Sequence, residues 1–282
     1  MNLLQILILA IVQGAAELLP VSSSAHVIVA EKLMGLDPTV PEMTLLLVML
    51  HTGTMFAVIV YFWNSWRTTY FGSAQAFRAN ALRVVVATIA TGAVGLALLQ
   101  LIKYVVAGNA PGFEIEHLFG NARLMAVALA AAGVLIIVSS RFPERTGSDG
   151  LSLRSAAWIG AVQGLCLPFR GFSRSGATIS TGLALGVGRR RAEEFSFALA
   201  VVLTPAVIVK EAYRLYQAQG AAMAVHAGGL MQLVGPSLIG MTLSFLAGLV
   251  ALRWLSRWLE QGRWHFFGAY CLLASLVVLW VG

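Results

Sequence analysis

The sequence has few charged residues: Lys, Arg, Asp and Glu make up 11% of its 282 positions, against about 25% in soluble domains. Hydrophobic residues make up 59%, and the mean hydropathy is +0.82. Such a chain cannot cover a water-facing surface, which predicts an integral membrane protein. Alternating segments of the length of barrel strands are also missing, so we expect the spanning elements to be helices.

Cysteine is nearly absent, and acidic residues are scarce. Cys166 and Cys271 both lie in apolar runs, which argues against a disulfide framework and favours small buried side chains. The net charge is +7, but the basic residues are dispersed between apolar segments. This distribution argues against nucleic-acid binding and indicates loops that set the orientation in a membrane.

Six apolar stretches approach the roughly 20 residues that a membrane-spanning helix needs. Their predicted ranges are 43–63, 84–106, 121–140, 195–216, 233–254 and 266–280. Two further stretches are interrupted: 3–19 and 23–34 flank Pro20, and 156–167 and 176–187 flank Pro168. Each is interpreted as two half-helices around a polar turn, with one kinked span as the alternative. Broken helices at membrane depth occur where they line a cavity, so the turns are candidate binding sites.

The two halves of the chain correspond. "AIVQG" (10–14) precedes the first turn and "GAVQG" (160–164) the second, and Ser22 and Ser173 follow nine or ten residues later. Basic loops alternate with loops that lack basic residues, as the positive-inside rule requires if both broken pairs are re-entrant. The basic loops hold Arg67, Arg78 and Arg83, then Arg141, Arg145 and Arg154, then Arg189, Arg190 and Arg191, then Arg253, Arg257 and Arg263; the intervening loops hold Glu114 and Glu116 or, around 217–232, no charge.

These patterns predict an all-α polytopic membrane protein with six transmembrane helices and two re-entrant broken-helix hairpins. The chain 1–282 would form one integral membrane domain, with one repeat over about 1–145 and a second over about 150–282. Three spans separate the two hairpins, so the repeats would have inverted topology and both termini would lie on the outer side. The two polar turns could then meet near the midplane.

The first turn, "ELLPVSSSAH" (17–26), predicts a phosphate site. Hydroxyl groups, free helix N–H groups and the positive end of a helix dipole favour an anion. His26 lies one helical turn after the serines and can face the same anion. Glu17 and Gln13 share a face of the preceding helix, where a divalent cation would link Glu17 to phosphate oxygens. The predicted binding residues of this turn are Ser22, Ser23, Ser24 and His26.

The second turn, "PFRGFSRSGATIS" (168–180), predicts a cationic partner for the same anion. Arginine binds phosphate oxygens in pairs, and glycine lets the backbone approach a ligand. The predicted binding residues here are Arg170, Ser173, Arg174, Ser175, Gly176 and Thr178. A phosphate site within a membrane implies a substrate with a phosphorylated head and a lipid tail.

Together "ELLPVSSSAH" and "GFSRSGATIS", with "LHTGTMFAVIVYFW" (50–63) and "EEFSFALAV" (193–201), resemble the undecaprenyl-diphosphate phosphatases of bacteria, the bacitracin-resistance family. The resemblance covers nearly the whole chain. It implies hydrolysis of undecaprenyl diphosphate to the monophosphate, which recycles the carrier for peptidoglycan synthesis. It also implies an outward-facing site in the bacterial inner membrane, Mg²⁺ or Ca²⁺ as cofactor, and a homodimer.

Carried over by position, the resemblance assigns catalytic roles to Glu17, Ser23, His26 and Arg174. Either Ser23 or His26 could attack phosphorus; we favour Ser23, with His26 as general base. Gln13 stands where the family commonly has a glutamate that binds the metal with Glu17, which predicts weaker metal binding. Arg170 stands where the family usually has proline, and its charge could offset that loss.

The sequence leaves two rival functions open. Inverted repeats with broken helices are also typical of transporters, so the chain could move undecaprenyl phosphate across the membrane with weak phosphatase activity or none. The other common type of lipid phosphatase, built around P-S-G-H, superficially matches "SSSAH". That chemistry needs a second histidine followed by an aspartate, and neither Asp37 nor Asp149 follows a histidine at short spacing.

Overall fold

The computed structural model describes residues 1–37, 40–105, 121–142, 150–219 and 227–281. Within these ranges the chain forms helices and no strand, which confirms the all-α prediction. The acidic loop of Glu114 and Glu116, Arg145, and the middle of the uncharged loop lie outside the described residues. In chain order the helices are α1 (Leu3–Leu18), α2 (Ser23–Leu33), α3 (Pro41–Thr69), α4 (Ala74–Val105), α5 (Ala122–Ser139), α6 (Leu153–Leu165), α7 (Arg174–Ala184), α8 (Arg189–Gln219), α9 (Ala227–Glu260) and α10 (Trp264–Val281).

Five of these helices are long and apolar enough to cross a membrane, within the described part of the chain. They are α3 from Met43, α4, α5, α9 from Val234, and α10. The sixth predicted span, 195–216, lies within α8, which contains Pro205 and is not among the five. The structure therefore supports a multi-pass membrane protein, while the sixth span and the re-entrant hairpins stay predictions.

Both predicted interruptions occur as separate short helices. The Asn2 side chain accepts from the Gln5 backbone N–H and so begins α1, which ends at Leu18 because Leu19 precedes proline and takes an extended conformation. Helix α6 also ends shortly before a proline, at Leu165, but its cap residue Cys166 keeps a helical conformation. The predicted start of α7 at residue 176 was two residues late, because the Ser173 side chain caps a helix that begins at Arg174.

The predicted start of the second span was also late. We expected residue 84, whereas α4 begins at Ala74, where Ser73 accepts from the Ala76 N–H at 3.0 Å. Hydropathy detects only the apolar part of a helix, and the first turns of α4 carry Arg78 and Arg83. The helix therefore extends well beyond its apolar part.

Helices of one half of the chain pack against helices of the other half. Helix α1 packs against α9 and α6 packs against α4, while α2 contacts α10 and α7 contacts α5. Glycines make the crossings of α1 with α9 and of α6 with α4 tight: a Cβ on Gly14 would lie 2.7 Å from the Ser244 carbonyl oxygen, and one on Gly164 would lie 2.8 Å from that of Thr91. Thus each short apolar helix packs closely on a long helix of the opposite half.

Candidate active site

The two polar turns lie in direct contact. Ser175, in the first turn of α7, donates to the Leu19 carbonyl oxygen at 3.2 Å. Arg174 Nη2 donates to Glu17 Oε1 at 3.1 Å. These contacts join residues more than 150 positions apart in the sequence, and they place the start of α7 beside the end of α1.

The first turn depends on an unusual backbone conformation at Ser22. Its φ of 67° lies in the left-handed region, and it is the only non-glycine residue with positive φ within the described ranges. Such a conformation costs about 1–3 kcal/mol and is common at functional sites. Ser22 makes no side-chain cap on α2; its hydroxyl instead lies 3.3 Å from Ser24 Oγ. The first N–H groups of α2 therefore have no hydroxyl cap from Ser22.

Glu17 is the centre of the polar contacts. Its Oε2 accepts from Ser23 Oγ at 2.5 Å and from Gln13 Nε2 at 3.2 Å, while Oε1 accepts from Arg174. Because the carboxylate oxygen takes the Ser23 hydrogen bond, Glu17 is placed to accept the serine proton. The structure thus pairs Ser23 with Glu17, whereas we had favoured His26 as its base.

His51 also faces Glu17, and the sequence analysis did not identify it as a site residue. Its Nε2 lies 3.7 Å from Glu17 Oε2, and its Nδ1 lies 2.8 Å from the Leu47 carbonyl oxygen. His51 could have been identified from its residue type alone, because ionisable residues within apolar spans tend to be functional.

A cavity of about 160 Å³ opens between the two turns. Eight of the predicted residues line it: Glu17, Ser22, Ser23, Ser24, Arg170, Ser173, Arg174 and Ser175. Its charged groups are therefore one carboxylate and two guanidinium groups. Pockets for drug-sized ligands usually measure roughly 300–1,000 Å³, so this cavity suits a phosphorylated head group better than a lipid tail.

Four other predicted residues do not line the cavity. Gln13 is buried against Glu17. Gly176 donates its N–H to Ser173 Oγ and packs against Ile136. Thr178 Oγ1 lies 2.6 Å from Ser196 Oγ. His26, the fourth, has its Nδ1 2.8 Å from the Ser22 carbonyl oxygen.

The second turn presents Arg174 to the cavity with one donor unused. Its Nη1 is buried and has no hydrogen-bond partner within the described residues, which is costly for a donor. Gly171 shapes the turn: its φ is 102°, and a Cβ there would lie 2.3 Å from the Met125 carbonyl oxygen. Only glycine fits this position without displacing the backbone of α5.

Tyr270, on α10, is a second residue that the sequence analysis missed. Its hydroxyl lies 2.7 Å from His26 Nε2, and the two rings stack with centroids 5.6 Å apart. Nothing in the local sequence of α10 indicates this contact, which joins positions 244 residues apart.

The residues around Glu17 do not by themselves form a divalent metal site. Glu17 is the only carboxylate that lines the cavity, and both of its oxygens already accept hydrogen bonds. No group of three or more His, Cys, Asp or Glu side chains could hold a metal in the part of the chain that the structure describes. Mg²⁺ is often held by one or two carboxylates together with substrate phosphates, so a cation here would depend on the substrate's oxygens.

Comparison with known proteins places the chain among similar sequences over its full length. It is 65% identical over 279 residues to undecaprenyl-diphosphatase 2 of Acinetobacter baylyi, covering 99% of this chain and 98% of that relative. It is 33% identical to an undecaprenyl-diphosphatase of Desulfosudis oleivorans, over 100% of this chain and 99% of that relative. It is 31% identical to an undecaprenyl-diphosphatase of Acidiphilium cryptum, over 96% of this chain and 94% of that relative. The model of the bacitracin resistance protein BacA family matches residues 6–277, and the chain therefore belongs to that family.

Proposed function

We propose that this protein hydrolyses undecaprenyl diphosphate to undecaprenyl phosphate and inorganic phosphate in the bacterial inner membrane. The observation that carries the proposal is the contact of Ser23 Oγ with Glu17 Oε2 at 2.5 Å, in a cavity that also contains Arg174. These supply a nucleophile, a proton acceptor and a cation for phosphoryl transfer. The names of the relatives support the same substrate. The carrier would be recycled for peptidoglycan synthesis, and the family description adds bacitracin resistance.

In the proposed first step, Ser23 Oγ attacks the terminal phosphorus while its proton passes to Glu17. The bond from phosphorus to the bridging oxygen breaks, and undecaprenyl phosphate leaves with the electron pair. Arg174, which lines the cavity, would bind an oxygen of the transferred group and stabilise its charge. Water then cleaves the phosphoserine and releases inorganic phosphate. Mg²⁺ or Ca²⁺ held by Glu17 and Gln13 stays a prediction.

The membrane arrangement is also a proposal. The exchanged contacts of α1 with α9 and of α6 with α4 support an inverted-topology repeat of 1–145 and 150–282, in which both hairpins are re-entrant. Helices α2 and α7 begin at Ser23 and Arg174 and have 11 residues each, as a duplication would produce. On this proposal α8 is the sixth span, both termini lie outside, and the cavity opens to the outer side. A homodimer remains a prediction from the resemblance.

The same exchanged contacts favour a second candidate, a carrier of undecaprenyl phosphate, because transporters share this symmetry. The test is phosphate release from undecaprenyl diphosphate by purified protein, with Mg²⁺, with Ca²⁺ and with EDTA. We expect release by the wild type, a loss of at least about 1,000-fold for Ser23→Ala, and near-normal release for Ser275→Ala, a buried serine of α10. Absence of release under every condition, for the wild type and for Gln13→Glu, would exclude the enzyme. Movement of labelled undecaprenyl phosphate between leaflets would then support the carrier.

A further inference from the structure

Helix α10 holds the first turn at two neighbouring positions. Tyr270 contacts His26, with its hydroxyl 2.7 Å from Nε2 and the two ring planes 14° apart. The next residue, Cys271, donates its thiol to the Pro20 carbonyl oxygen at 3.2 Å. The last helix of the chain is thus joined to the turn that carries Ser23.

The place of α10 is itself fixed by a close helix crossing. A Cβ on Gly268 would lie 2.6 Å from the Gly133 carbonyl oxygen, and one on Gly133 would lie 2.8 Å from that of Gly268. Helices that approach this closely through paired glycines have little freedom to slide. Tyr270, half a turn after Gly268, therefore has a defined position relative to α5.

The hydrogen bonds of His26 determine its tautomer. The Ser22 carbonyl oxygen, 2.8 Å from Nδ1, can only accept, so the proton lies on Nδ1. In the neutral ring Nε2 then carries the lone pair, and the Tyr270 hydroxyl donates to it. Both nitrogens are engaged, which leaves His26 without a free lone pair for Ser23.

The same imidazole stabilises the backbone of Ser22. The Ser22 carbonyl oxygen accepts from the His26 backbone N–H at 3.4 Å as well as from Nδ1. Ser22 has the left-handed φ of 67°, and its conformation determines where α2 begins and where Ser23 Oγ points. Movement of the His26 ring would therefore change the conformation of Ser22 and, with it, the position of Ser23 Oγ.

We propose that Tyr270 is a positioning residue of the site: its hydroxyl fixes the His26 ring on the Ser22 carbonyl, and so keeps Ser23 Oγ on Glu17. Tyr270 does not touch the reacting atoms in this arrangement; it acts through His26 and Ser22. The inference rests on the proposed function for its effect on rate. Its effect on the state of His26 is independent of the reaction.

The test is Tyr270→Phe, which keeps the ring stack and removes the hydroxyl at a side chain that is 46% exposed. We expect kcat to fall about tenfold with KM little changed, which corresponds to about 1.4 kcal/mol, the size of one hydrogen bond. Tyr104→Phe is the matched control, because Tyr104 is exposed at the end of α4; it should behave as the wild type.

A double-mutant cycle with Ser22→Gly tests the route through the backbone. Glycine accepts positive φ without strain, so the conformation of position 22 would no longer need support from the His26 ring. We expect Tyr270→Phe to cost less than about threefold in kcat in the Ser22→Gly background. An unchanged tenfold cost in that background would overturn the coupling.

The tautomer of His26 is read directly by ¹⁵N spectra of histidine-labelled protein, with His26 assigned by comparison with His26→Asn. We expect a neutral ring with the proton on Nδ1 in the wild type, and a mixture of tautomers in Tyr270→Phe. A wild-type ring with its proton on Nε2 would overturn the proposal, as would identical spectra and kcat for wild type and Tyr270→Phe. Because these spectra need no hydrolysis, failure of the proposed function would leave the tautomer result readable.

Discussion

Glu17→Gln is the substitution that most directly tests the geometry of the site. The carboxylate accepts the Ser23 hydroxyl on one oxygen and the Arg174 guanidinium on the other, at 2.5 and 3.1 Å. The amide has nearly the same shape, but it carries no charge, and one of its two polar atoms is a donor. It can therefore keep only one of these two contacts, and it is a far weaker proton acceptor.

The expected loss follows from the role of a general base. Removing a positioned base costs typically about 10²–10⁴-fold in rate, and the contact with Arg174 is lost or weakened in addition. We therefore expect Glu17→Gln to lower kcat at least about 100-fold, measured as phosphate release from undecaprenyl diphosphate. If His26 were the base instead, Glu17→Gln would retain most activity and His26→Asn would lose it.

Glu193→Gln is a matched control for this substitution. Glu193 is a buried carboxyl that accepts from Ser256 Oγ at 2.5 Å, as Glu17 does from Ser23, and it does not line the cavity. Glutamine has nearly the same shape and can keep an acceptor for the Ser256 hydroxyl, so Glu193→Gln should release phosphate at close to the wild-type rate. Equal loss in both variants, or a Glu17→Gln enzyme within about threefold of the wild type, would refute the reasoning.

Two further substitutions test the cation balance and the second turn. Gln13→Glu places a second carboxylate beside Glu17, so we expect EDTA to inhibit phosphate release by this variant more than by the wild type. We also expect Arg170→Ala to reduce phosphate release less in the Gln13→Glu background than in the wild type. Equal loss from Arg170→Ala in both backgrounds would contradict this. Gly171→Ala forces a Cβ to 2.3 Å from the Met125 carbonyl oxygen at a φ of 102°, so we expect a thermal midpoint in detergent lower by several degrees. Gly92→Ala, with open space around the added Cβ in the interior of α4, is its control and should not lower that midpoint.

The two polar turns could be predicted because proline and serine act locally. Pro20 disfavours the helical conformation of the residue before it, and α1 accordingly ends at Leu18. Ser173 caps α7 as a serine at that position is expected to do. The membrane class could be predicted from composition alone, since it depends on the whole chain and on no single contact.

The partner of Ser23 could not be predicted in the same way. One helical turn separates Ser23 from His26, which suggested that they share a face. That rule holds inside a helix, whereas Ser23 is the first residue of α2 and follows a residue with left-handed φ. The His26 ring turns back to the Ser22 carbonyl oxygen, and Ser23 meets Glu17 instead. The left-handed conformation before Ser23 cannot be read from the residue types, and so this pairing could not be read from spacing.

His51 and Tyr270 could not be predicted because they come from distant helices. Each is a single polar residue in an apolar stretch, without a motif around it, and each reaches the site only through the packing of α3 or α10. Spacing along the chain carries no information on such contacts. The type of residue does: an ionisable group in a span is costly and tends to be functional, and that rule applied to His51 would have marked it.

The duplication proposed above gives a reason why one site needs both halves. Ser23 and Arg174 are each the first residue of an 11-residue helix that follows a polar turn, so they would be equivalent positions of the two repeats. At this shared position one half supplies the nucleophile and the other supplies the cation. Gln13 and Gln163 would be equivalent as well, yet Gln13 donates to Glu17 and Gln163 to Thr91. Two copies of one hairpin that meet face to face can thus specialise separately, and neither copy alone has the carboxylate, the hydroxyl and the guanidinium that phosphoryl transfer requires.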